Sequence, residues 1–248
     1  MTTGPDGNEG DLCAAAEEAL TEAAFRTGDL TKAERLFGAA RAVAVRAGDR
    51  AGEARAVGGL GMALHHRNIA RLIAGLAPAD VTAEEDLMRG ALALWQETGD
   101  AAGTGRALFC VGLVFQVLHR DWGAAMRYFW QAFGLAEAME ESGDLYGRSE
   151  VHRHLGFYYL AGDVRPREAV RQLEHSLDLR ERLGDPRRIP SALVALGEAE
   201  MAAGNPRRAA GLLRRAVTLA REAALLPWRI QDAEENLQAA EAALSAAG

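Results

Sequence analysis

Val151-His152-Arg153-His154-Leu155-Gly156-Phe157-Tyr158-Tyr159-Leu160-Ala161-Gly162-Asp163 is the stretch on which the fold turns. Leu155-Gly156 with Tyr159 sits in a run of helical character, and a small residue followed by Gly-Asp closes it. Gly tolerates the left-handed conformation that ends a helix, and an Asp after it can cap the next one. Beyond the turn, Ala169, Leu173 and Ser176 recur at helical spacing. The unit is therefore a helix, a tight turn and a second, antiparallel helix. Gly156 leaves room for the apolar residue of the partner helix to pack closely.

Outward from this unit the same punctuation returns. Thr27-Gly28-Asp29, Ala47-Gly48-Asp49, Thr98-Gly99-Asp100, Ser142-Gly143-Asp144 and Leu183-Gly184-Asp185 each end an Ala- and Leu-rich run, and Ala203-Gly204-Asn205 is a close variant. The turns within successive pairs, at Asp121, Asp163 and Asn205, stand 42 residues apart. A fixed period of about 20–50 residues is the mark of a repeat array. Val111-Gly112 with Phe115, Leu196-Gly197, and Leu60-Gly61 with Leu64 repeat the first-helix core. Ala33, Phe37 and Ala40, then Ala125, Phe129 and Ala132, then Ala209, Leu213 and Ala216 repeat the second.

These matches resemble the tetratricopeptide repeat (TPR) in a long form, over about residues 11–223. The usual period is about 34 residues. The first-helix aromatic is also missing here, with Val57, Leu108, His152 and Leu193 in its place. The resemblance implies an all-α, TPR-like right-handed superhelical solenoid of about five antiparallel helix pairs with a C-terminal capping helix. The expected divisions are a disordered tail over 1–10, the array over 11–227 and the cap over 228–248. Ile230, Ala233, Leu237, Ala240 and Leu244 form the apolar stripe of that cap, with acidic residues over much of the rest.

Composition narrows the classes of function. The net charge of −7 disfavours nucleic acid as a partner. Lys32 is the only lysine, and with heavy Ala and Gly usage this reads as a GC-rich bacterial genome. Cys13 and Cys110 read as buried small apolar residues rather than a disulfide. No apolar run reaches the ~18 residues of a membrane span, and the N-terminus lacks the regions of a signal peptide. The expectation is a cytoplasmic protein with no membrane partner. No phosphate loop, paired-Cys zinc pattern or nucleophile elbow is present. His65 and His66, as helix neighbours, point about 100° apart and cannot chelate one ion together. Neither a metal nor another cofactor is expected.

In the TPR fold the first helices line the concave side. Counting from each Leu/Val-Gly marker, the groove residues are Arg55 and His65 in the second unit. Arg106, Phe109 and Gln116 follow in the third, Glu150, Arg153 and Phe157 in the fourth, and Glu198 in the fifth. Arg forks clamp anionic groups and aromatic faces stack, so a carboxylate-bearing peptide suits this lining. The leading expectation is a non-catalytic adaptor or regulator holding a protein segment or peptide there. The alternative is a small-molecule binder or enzyme of bacterial secondary metabolism, motivated by His119, His152, His154, Tyr158 and Tyr159. The first helix of the second unit runs on to Leu76, before Pro78. Its extension carries an apolar stripe, Ile69, Leu72, Ile73 and Leu76, expected to lie under residues 77–83 or against a second copy in a homodimer.

Overall fold

The structure, a computed structural model, describes residues 6–246, with side chains from residue 12 onward. Among the described residues it is helical throughout, with no strand. The elements are α1 (Asp6–Glu22, continued by a π-helical turn, Ala23–Thr27), α2 (Thr31–Ala47), α3 (Arg50–Ile73), α4 (Val81–Thr98) and α5 (Ala101–Leu113, continued by a π turn, Val114–Leu118). After these come α6 (Trp122–Gly134), the short α7 (Ala136–Glu141), α8 (Leu145–Ala161), α9 (Pro166–Leu183), α10 (Ile189–Ala202), α11 (Pro206–Glu222) and α12 (Pro227–Ala246). The chain divides into two compact units, one ending at Met139 and the other beginning at Glu140. The first helix begins at Asp6, inside the stretch read as a tail; residues 1–5 lie outside the described residues.

The Gly-Asp punctuation sets several of the helix ends, but not the one at Gly162-Asp163, where Gly162 has φ −98° and α9 starts at Pro166 after Arg165 with no side-chain cap. Asp49, Asp100, Asp121 and Asp144 each accept the amide of the residue three further on, at 2.8–3.0 Å, as does Asp80 after the α3–α4 loop. Such caps satisfy amides that the helix itself leaves unpaired. Gly48 and Gly99, at φ 71° and 72°, close the helices before two of these caps. In the turn of the third pair an Arg stands where the later units have Gly, and Arg120 adopts φ 54° all the same.

In each unit the helices pack on their sequence neighbours. The Leu/Val-Gly markers mark the closest points. A Cβ on Gly156 would lie 2.6 Å from Leu173 Cγ, one on Gly197 2.7 Å from Leu213 Cγ, and one on Gly112 2.5 Å from Phe129 Cε1. The space above each Gly is thus filled by the second-helix side chain that the repeat pattern puts there. At Gly61 the neighbour is Met88 Sδ, at 2.8 Å. The four residues in the slot of the missing aromatic, Val57, Leu108, His152 and Leu193, are all buried.

Within the first unit, Ala101–Leu118 is an 18-residue stretch of mean hydropathy 1.5, long and apolar enough to cross a membrane by length and composition. That is more than the run-counting in the sequence allowed, because Thr104, Arg106 and Gln116 interrupt the count without lowering the mean far. More than half of it is buried inside the protein, Leu108, Val111 and Val114 among the buried residues.

In the second unit α10 touches α8 and α12 as well as its sequence neighbours α9 and α11. The first helices of successive pairs therefore stand side by side, with α12 continuing the row. Beneath them, Leu173, Leu193, Leu196 and Leu213 form a core with Ala233 and Ala240 of α12. This row creates the site.

Candidate functional site

A cavity of about 170 Å3 opens between α8, α10 and α12. Arg153 and Phe157 of α8 line it, with Ser191, Val194 and Glu198 of α10 and Trp228, Arg229 and Asp232 of α12. The spacing explains the convergence. Arg153 and Phe157 are four apart on α8; Ser191, Val194 and Glu198 recur at three and four on α10; Trp228 and Asp232 are four apart on α12. Each set occupies one helix face.

The Arg153 guanidinium lies 4.5 Å from the centre of the Phe157 ring. Its Nε is shut off from solvent and has no hydrogen-bond partner, and among the described residues Arg153 makes no ion pair. Burial lowers its pKa, opposed by Tyr146, Glu198 and Asp232 at longer range. It remains a cation at neutral pH, because an arginine starts far above that range. Arg229 stacks on Trp228 at 4.2 Å, and burial brings it down to about 10. Across the cavity, burial raises Glu198 and Asp232 above the ordinary carboxylate range, and each has a further carboxylate near it: Asp232 beside Glu198, and Glu235 beside Asp232.

Behind the cavity wall lies a second, closed cluster. Arg180 is almost wholly buried and donates to the Arg188 carbonyl at 2.8 Å, Ser191 Oγ at 2.7 Å and Ser149 Oγ at 3.2 Å. It is also ion-paired with Glu150, and burial brings its guanidinium down to about 10. Arg188 stands over the Tyr146 ring at 3.6 Å. Burial alone would push the Tyr146 phenol up; Arg188, Arg180, Arg153 and Arg229 outweigh it and hold it below the ordinary tyrosine range. The unit thus concentrates four arginines around one cavity and its floor.

Of the residues expected from sequence, Arg153, Phe157 and Glu198 come together in this cavity, and Glu150 stands one layer behind, on Arg180. The others belong to the first unit. Arg55 is held by Glu17 through two bonds of 2.7 Å. His65 is buried, its Nδ1 2.7 Å from Glu84 Oε1. Phe109 is buried against Phe129, with ring centres 5.5 Å apart. Arg106 and Gln116 are half-buried on α5 and its π turn. None of His119, His152, His154, Tyr158 and Tyr159 lines the cavity. His152 hydrogen-bonds Gln172 at 2.8 Å, and burial holds it down to about 4. Among the described residues no group of three His, Cys, Asp or Glu is placed to hold a metal ion.

Sequence reasoning missed Trp228, Arg229 and Asp232 as site residues, having read α12 as a cap with an apolar stripe and an acidic outer face that included Asp232. The available signal was an aromatic, a base and an acid on the first two turns of α12. The dimer stripe divides. Ile69 and Leu72 are half-buried, while Ile73 and Leu76 are 50% and 53% exposed. The following loop does return to α3, but through polar bonds: Arg71 Nε to the Ala77 carbonyl at 2.8 Å, and the Ala79 amide to Asn68 Oδ1 at 2.7 Å.

No family model matches the chain, and no curated protein matches it. Solved structures do. One is the crystal structure of BtubC (BKLC) from P. vanneervenii, 16% identical, with a TM-score of 0.49 over 89% of this chain and 92% of that chain.

Proposed function

We propose that the protein is a non-catalytic scaffold of TPR-like repeats, a right-handed solenoid capped by α12, that holds a protein segment or peptide through a carboxylate. The observation that carries this reading is Arg153. Its Nε is shut off from solvent without a partner, which is costly, and a carboxylate entering the cavity would supply an acceptor to the half-buried guanidinium. Phe157 already fixes the plane of the fork, so little side-chain freedom remains to be lost on binding. Sites that enclose a whole small ligand usually span about 300–1,000 Å3. A cavity of about 170 Å3 suits the end of a longer ligand. The repeated contact of a first-helix Gly with a second-helix side chain, at Gly112 and Phe129, Gly156 and Leu173, and Gly197 and Leu213, supports the repeat assignment.

The test uses a library of short peptides with free C-termini and the same library amidated. The protein should retain members of the first and not of the second, and Arg153→Gln should lose them with its melting temperature unchanged. Equal retention of amidated peptides, or retention by the variant, would overturn the reading.

A further inference from the structure

The carboxylate reading, on which this inference rests, leaves two wall residues unexplained. Glu198 and Asp232 line the same cavity as Arg153. Both feel Arg153, and Arg153 feels both, yet among the described residues neither closes an ion pair with it. Opposite charges therefore face one another across the cavity at more than contact distance. A simple anion does not suit that arrangement. It would pair with Arg153 but stand beside two carboxylates, which Arg229 on the same wall offsets only in part, in a partly desolvated space where like-charge repulsion is strong. A ligand bearing only a cation would leave Arg153 as it is.

We infer that the cavity takes one residue bearing both a free carboxylate and a positive side chain, the chemistry of a C-terminal lysine or arginine. Its carboxylate lies on Arg153 and its ammonium or guanidinium between Glu198 and Asp232. The methylene stem runs between them along Phe157, Val194 and Trp228, which form part of the apolar wall. The cation then stands against both carboxylates, which without it have only Asn236 and the more distant Arg153 and Arg229 to offset them. The same chemistry exists in free lysine and at the end of a protein chain; the experiment separates the two sources.

Isothermal titration with four probes tests this: acetyl-Gly-Gly-Lys with a free carboxylate, the same peptide amidated, acetyl-Gly-Gly-norleucine with a free carboxylate, and free L-lysine. Norleucine keeps the stem and removes the charge. The lysine peptide should bind at least ~10-fold more tightly than the norleucine peptide. That preference should disappear in Glu198→Gln/Asp232→Asn and in Glu198→Gln alone, the single variant guarding against misfolding of the double. Free lysine binding as tightly as the peptide would assign the site to the free amino acid; weaker binding would assign it to a chain terminus. Both results support the inference. Equal binding of the lysine and norleucine peptides, each lost with amidation and with Arg153→Gln, would overturn it and leave the carboxylate reading intact. No binding of any probe at millimolar concentration would overturn both.

Discussion

Two polar regions, one in each unit, differ in a single respect. In the first unit, His65, Asn68 and Glu84 are buried between α3 and α4. Glu84 takes His65 Nδ1 on one oxygen and Asn68 Nδ2 on the other, each at 2.7 Å, and Asn68 Oδ1 accepts the Ala79 amide. The network is closed and pins the α3–α4 loop. In the second unit, Arg153, Glu198 and Asp232 face one another across an open cavity, and Arg153 Nε has no partner. A satisfied buried network stabilises one conformation, whereas an unsatisfied one stores a demand that a ligand can meet. Polar burial serves the fold in one place and recognition in the other.

The largest expected effect is in the closed network. Glu84→Leu leaves His65 and Asn68 buried without their acceptor and should cost about 3–5 kcal/mol, read by urea unfolding. Glu198→Gln, in the open site, should change stability by less than about 1 kcal/mol. Similar losses for the two would erase the contrast.

Next comes pH. Burial is the main cause that holds His152 down to about 4 from an ordinary 6.5, with His175 and Arg148 adding to it and Gln172 opposing. The unfolded chain takes up this proton below about pH 6.5 and the folded chain only near pH 4. Between those values the unfolded state binds more protons, so stability falls as the pH falls, by up to about 3 kcal/mol, and is complete above the window. The His152→Gln profile should be flatter from pH 7 to 4. A parallel profile would mean that the imidazole is not held neutral by the fold.

A smaller effect concerns the packing that supports the site. Gly156→Ala puts a methyl group 2.6 Å from Leu173 Cγ and should cost about 1–3 kcal/mol through overpacking between α8 and α9. An unchanged melting temperature would show that Leu173 yields without strain.

Much of the helix layout was legible because Gly-Asp turns act locally. A left-handed Gly and a capping Asp need only their neighbours in sequence, as at Gly99 and Asp100. The face of α8 and α10 that forms the cavity was legible too, through the Leu-Gly markers that set Arg153, Phe157 and Glu198 in register. The closed clusters were not. His65 counted as a groove residue from its helix position, and only the approach of Glu84 from α4 shows it to be buried. Arg180, Arg188 and Tyr146 come from three helix ends, and no spacing along the chain encodes their meeting. The open half of the site on α12 was hidden for the same reason: Asp232 gains its meaning from Arg153, 79 positions away.

The central claim is that Arg153 is kept for a ligand and not for the fold. Urea unfolding of Arg153→Met, without any ligand, tests it most directly. The account predicts stability equal to that of the wild type or about 1 kcal/mol higher, since a half-buried cation whose Nε lacks a partner is replaced by an apolar chain of similar length. A loss of about 2 kcal/mol or more would show that Arg153 holds the structure together, and would contradict the account.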